Sequence, residues 1–143
     1  MASVILRPAT SADSEFAYQA RAAAFREYVE DSFGWQEDQE RERHERRFAQ
    51  HDYRVAEVDG TPVGILAVAR EPETVHLHQL FILPEHQGRG IGRACVERVL
   101  SEASPRPVRL RVLDCNPRAL SFYERLGFRR VGGTERHVIL QHP

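Results

Sequence analysis

Lysine is absent from this sequence: all 20 basic side chains other than histidine are arginine. A phosphate loop of the Gly-Lys-Ser/Thr type is thereby excluded, because its lysine has no counterpart. Cysteine is scarce. Cys95 and Cys115 are too few for a disulfide scaffold and lack the paired spacing of a zinc site, so two reduced thiols and no metal are expected. No apolar run approaches the roughly 20 residues that cross a bilayer, and the start MASVILRPAT has no charged segment leading into a long apolar one. A cytoplasmic protein without a membrane partner is the expectation. Neither sign of charge dominates, and the formal net charge of -1 gives no whole-molecule attraction to nucleic acid. The arginines of RERHERR are interrupted by glutamates and have no aromatic platform, so nucleic acid is not expected as a partner.

What is present has the size and balance of one globular domain over residues 1–143, 41% hydrophobic and 29% charged. Ser3 to Arg7 reads as a first strand ended by Pro8. Thr10 and Asp13 have capping-box spacing, and Phe16, Ala20, Ala24 and Tyr28 then follow every fourth residue along one helical face. A second helix over about Gln36 to Gln50 is mostly solvated, with Glu37/Arg41 and Glu42/Arg46 as i,i+4 pairs. Three strands follow as an antiparallel meander, YRVAEV, PVGILAVA and VHLHQLFIL, the first two joined at Asp59-Gly60. A helix carrying Ile91, Cys95, Val96 and Val99, the strand VRLRVL, a helix opened by Asn116-Pro117 and closed by Gly127, and two last strands complete the order. This is an α+β domain with a mixed sheet.

One stretch breaks the local rules. In QGRGIGR, Gly88, Gly90 and Gly92 crowd the opening turn of a helix, each costing about 1 kcal/mol relative to alanine inside a helix. Arg89 and Arg93 have the wrong sign for a helix N-terminus. An anion bound there removes both anomalies, because glycines expose free N–H groups and arginines neutralise phosphate oxygens. The dinucleotide fingerprint fails, since Arg93 or Cys95 stands where its third glycine belongs.

The pattern Gln87-Gly88-Arg89-Gly90-Ile91-Gly92 after a strand ending Leu80-Phe81-Ile82-Leu83-Pro84, followed by NPRALSFYERLGFRRVG, closely resembles the GCN5-related N-acetyltransferase (GNAT) superfamily. The resemblance implies a GNAT-type acyl-CoA N-acyltransferase fold: a mixed sheet of about seven strands with four helices, strands four and five splayed around acetyl-CoA. The pyrophosphate would sit on the backbone of Gly88 to Arg93, beside Gln87, and the pantetheine arm along Leu80, Phe81 and Ile82. Acetyl would pass directly to a primary amine of a small molecule or peptide in a ternary complex, without a cysteine nucleophile. Cys95 then reads as core. Asn116 matches the position that contacts pantetheine, although an N-cap before proline needs such a residue in any case. Tyr123 matches the general acid that protonates the departing thiolate, and core packing is its other reading.

Many relatives in that superfamily place a glutamate on the fourth strand as base. Here the strand offers His76 and His78 on one face and Gln79 on the other. His78 is the first candidate base and His76 the second, both with reference pKa values nearer neutrality than a carboxylate. The helix junction REYVEDSFGWQED could receive a cationic amine through Glu30, Phe33 and Trp35, with His137 reaching in from the last strand. A solvated acidic turn is the other reading of that junction. A non-catalytic acyl-CoA-binding or regulatory domain remains the alternative to an enzyme, and similar proteins commonly form homodimers through their C-terminal strands.

Overall fold

Short-range rules account for most element boundaries. The computed structural model describes residues 3–32 and 36–143, with side chains given outside 25–35. Strand β1 (Val4–Pro8) leads to a 3-10 turn, Ser11–Asp13, that carries the expected capping box. Arg7 clamps this corner, donating to Asp13 at 2.8 and 2.9 Å and to Glu57 at 2.8 Å. The pairing holds the Asp13 carboxyl well below the usual carboxylate range.

Two helices follow, α1 (Ser14–Ser32) and α2 (Glu37–Gln50), then the meander β2 (Asp52–Val58), β3 (Thr61–Arg70) and β4 (Val75–Ile82). Asp59 and Gly60 both take positive φ, 51° and 79°, as a two-residue hairpin turn requires. Beyond β4 come α3 (Ile91–Ala103), β5 (Val108–Leu113), α4 (Pro117–Arg125), β6 (Arg129–Gly133) and β7 (His137–His142). Gly127 closes α4 at φ 99°, where an L side chain would be strained. Among the described residues no helix is long and apolar enough to cross a membrane.

The seven strands form one mixed sheet in the order β1-β2-β3-β4-β5-β7-β6. All neighbours run antiparallel except β4 and β5, which pair in parallel only at Val75↔Val108 and His76↔Arg109. After these two pairs the strands part, so the expected splay is present at the centre of the sheet.

Each face has its own core. Ile91, Cys95, Val96, Val99 and Ala103 of α3 pack on Leu66, Val68, Val75, Leu77, Val108 and Leu110, with Phe122 and Tyr123 of α4 against the same cluster. On the other face Ala17 and Ala20 of α1 meet Tyr53, Ile65 and Ala67. The second helix is less solvated than its composition predicts, because it buries Glu40 and His44. Arg21 of α1 donates to Glu40 at 2.8 Å, and Arg43 reaches the same carboxylate at 3.1 Å. Burying a carboxylate is tolerable only with such partners.

The placement of Gln79 corrects the sequence expectation. Ala67 pairs with Gln79 and Val68 with Leu77, so His78 is an extra residue bulged out of the β4 ladder. The bulge reverses the alternation. Val75 and Leu77 before it and Leu80 and Ile82 after it all face α3, whereas Gln79 turns to the α1 side and accepts a hydrogen bond from Tyr53 Oη at 3.2 Å. Gln79 therefore shares the face of His76.

Candidate active site

The turn between β4 and α3 is built to leave backbone donors free. Gly88 and Gly90 take φ of 78° and 80°, a region that costs other residues about 1–2 kcal/mol. Gly90 is the N-cap of α3 and has no side chain to cap the helix. The first helical bond from this end is Ala94 N to Gly90 O at 3.1 Å, so the N–H groups of Gly90 to Arg93 lack intrahelical partners. Open space surrounds the positions where side chains of Gly88 and Gly90 would begin. A pyrophosphate fits such a cradle. Arg89 is exposed on the turn, while Arg93 bonds Glu97 at 3.1 Å. Gln87 ties the turn to the strand end, its Nε2 donating to the Ile82 carbonyl at 3.0 Å.

Gly92 has a different role. A Cβ there would lie 3.4 Å from Phe122 Cζ and 3.8 Å from Ile82 Cγ1. The start of α3, the end of β4 and the middle of α4 thus meet at one point. Leu80 and Ile82 pack on the α3 core and Phe81 on the α1 core, so the strand's end is wedged from both sides.

Asn116 caps α4, its Oδ1 accepting from Ala119 N at 3.1 Å, which leaves the Nδ2 amide to donate. About two helical turns further on, Tyr123 packs edge-to-face with Phe122 and Phe128, at ring separations of 5.0 and 5.5 Å. Burial, with a smaller contribution from the Cys95 thiol, raises the Tyr123 hydroxyl above its ordinary value, so it stays protonated at neutral pH. Burial also pushes the Cys95 thiol up to about 11, which makes it a poor nucleophile.

The opposite side of the splay is lined by imidazoles. His78 stands just past the last β4–β5 pair, at the opening. Its ring stacks on His51 at 4.2 Å and lies 5.9 Å from His76. Desolvation, then the nearby His51, His76, Arg111 and Arg47, lower His78 to about 4. It is neutral at pH 7, but less basic than a free histidine. His76 points toward Glu71, with Nε2 3.5 Å from Oε1. His137 pairs with Leu113 at the end of β5, and its backbone N–H donates to Thr134 Oγ1 at 3.1 Å. Burial and Arg111 lower its pKa as well. Of the expected amine-binding residues, Phe33, Trp35 and the Glu30 side chain lie outside the described residues.

His51, Arg47 and Arg111 were not singled out by sequence. Two of them had a weak signal: Arg47 and His51 are one helical turn apart at the α2 exit. Among the described residues no three His, Cys, Asp or Glu side chains are grouped to hold a metal ion.

Residues 16–128 match the profile of the acetyltransferase (GNAT) family. The N-alpha-acetyltransferase RimI of Mycobacterium tuberculosis is 37% identical over 82 residues, 54% of this chain and 52% of that protein. The chain spans between 37% and 58% of the length of three curated relatives it matches. The crystal structure of an acetyltransferase from Thermus thermophilus superposes with a TM-score of 0.81 at 22% identity, over 100% of this chain and 99% of that one. The PaiA N-acetyltransferase of Thermoplasma acidophilum, solved in complex with coenzyme A, gives 0.79 at 18% identity, over 98% of each chain.

Proposed function

Since this chain belongs to the acetyltransferase (GNAT) family, we propose that its residues 1–143 form one domain that transfers acetyl directly from acetyl-CoA to a primary amine. The observation that carries this reading is the convergence at Gly92: an uncapped glycine turn, the end of a splayed strand and the helix of Tyr123 within side-chain contact. The N–H groups of Gly90 to Arg93 hold the pyrophosphate, with Arg89 adding charge. The pantetheine arm runs along Leu80 to Ile82, and Asn116 donates to it from Nδ2. Acetyl-CoA, when bound, supplies a thioester whose carbonyl carbon the amine attacks.

This chain's residues then have two protons to move. As the N–C bond forms and the C–S bond breaks, His78, directly or through water, accepts the proton that the amine nitrogen sheds. Tyr123 donates its hydroxyl proton to the departing sulfur. Its raised pKa keeps that proton in place until the thiolate appears. The low pKa of His78 sets a requirement on the other side: the amine must lose its first proton to solvent before it attacks. The coenzyme A complex of the PaiA neighbour and the α-amine in the name of the RimI relative support the donor and the acceptor type.

Thermal melting with acetyl-CoA, ATP or NAD tests the donor, and only acetyl-CoA is expected to raise the melting temperature at micromolar concentration. Free-thiol release with a panel of amines tests transfer. Tyr123→Phe should lower kcat by about 10²-fold or more while acetyl-CoA affinity changes little. Binding of acetyl-CoA with no amine turned over would mean a regulatory acyl-CoA binder.

A further inference from the structure

Helix α2 carries four arginines, and three are satisfied. Arg41 bonds Glu15 and Glu37, Arg43 bonds Glu40, and Arg46 bonds Glu42. Arg47 is the exception: it is half-buried, forms no ion pair among the described residues, and burial first, then Arg21 and Arg43 nearby, drag its guanidinium below the ordinary value. A desolvated cation without a counterion is an expensive arrangement. Arg111 on β5 also has no ion pair among the described residues.

The two face one place. Arg47 lies one helical turn before His51, whose ring stacks at 4.2 Å on His78. The parallel register sets Arg109 beside His76, so Arg111, two residues on, comes level with His78 where the strands part. Both guanidiniums act electrostatically on His78, together with His51 and His76. Glu40 offsets Arg47 only in part. Glu40 is taken by Arg21 and Arg43, and Glu71 lies at His76. Arg109 is held by the Gln141 amide oxygen at 2.7 and 3.0 Å and plays no part.

We infer that the acceptor amine carries a carboxylate, which is seated between Arg47 and Arg111 beside the His78 ring. This rests on the acetyl-transfer reading above. The coenzyme's pyrophosphate does not supply this anion, since the glycine turn begins beyond Ile82, four residues or roughly 13 Å along the strand from His78. A planar carboxylate matches the guanidinium fork. Its charge also offsets the two arginines, which are the smallest of the contributions that lower His78. The acceptor class is an amino acid with a free amine, or a peptide whose acid lies beside its N-terminal amine.

Matched acceptors test it: lysine against cadaverine, 2,4-diaminobutyrate against 1,3-diaminopropane, and the peptide amides Glu-Ala and Gln-Ala. Thiol release gives kcat/KM, and calorimetry with and without coenzyme A gives affinity independently of turnover. The carboxylated member of at least one pair should be favoured tenfold or more. Arg47→Gln and Arg111→Gln should each reduce that preference at least fivefold, with the KM for acetyl-CoA unchanged. The pair that discriminates tells free amino acid from peptide. The inference is overturned if the amines lacking a carboxylate do equally well, if the preference survives both substitutions, or if no carboxylated amine binds. Carboxylate-dependent binding without turnover would count against acetyl transfer and leave the subsite standing; transfer to cadaverine in preference to lysine would do the reverse.

Discussion

Beneath α3 and α4 the sheet is closed by hydrocarbon, whereas beneath α1 and α2 it is closed partly by charge. The first layer seats Cys95, Val96 and Val99 on apolar strand residues. The second buries Arg21, Glu40, His44 and Gln79 alongside its alanines and Tyr53. On the proposed reading, the donor side therefore has a fixed frame of backbone N–H groups joined by Asn116 and Tyr123. The α1–α2 side is a set of polar side chains, each held by particular partners, and each replaceable with local consequences.

The largest expected effect tests the charged layer. Arg21→Ala removes the 2.8 Å partner of the buried Glu40 carboxylate and should cost about 3–5 kcal/mol in urea unfolding. Ile91→Val in the apolar layer should cost only about 0.5–1.5 kcal/mol. Equal losses would erase the contrast. A smaller effect falls on the donor turn: Gly90→Ala, forced to hold φ near 80°, should lose about 1–2 kcal/mol and raise the KM for acetyl-CoA several-fold. Affinity for the acceptor should not change.

The smallest effect is a pH dependence at the rim of the charged layer. Glu15 bonds Arg41 at 2.8 Å and is lowered from its ordinary 4.5 to about 2. A carboxylate depressed on folding contributes stability that is present above 4.5 and is lost as pH falls toward 2. Because the pair is exposed, Glu15→Gln should change stability at pH 7 by less than about 1 kcal/mol and flatten acid unfolding only slightly.

The glycine turn was legible in sequence because its oddities are contiguous. Three glycines and two arginines within seven residues contradict helix rules at adjacent positions, and the positive φ of Gly88 and Gly90 is the backbone form of that contradiction. Asn116 and Gly127 were legible for the same reason, since caps are local. The histidine side of the splay was not. His51 meets His78 across 27 positions of chain (78 less 51), and no periodicity announces a ring stack. Glu40 and His44 read as solvent-facing in a helix full of charge until α1 is laid against them. Strict alternation along β4 puts Gln79 on the wrong face because it takes no account of an inserted residue.

That inserted residue frees one position from the sheet. His78 has no cross-strand partner on β3, and on the β5 side the ladder has already ended. Its side chain is therefore bound neither by pairing register nor by the α3 core that fixes Leu77 and Leu80 on either side of it. A substitution at 78 can change what the opening attracts or deprotonates while the strand before and after it packs as before. On the proposed reading, acceptor choice and donor grip can thus diverge in separate steps, along a strand only eight residues long.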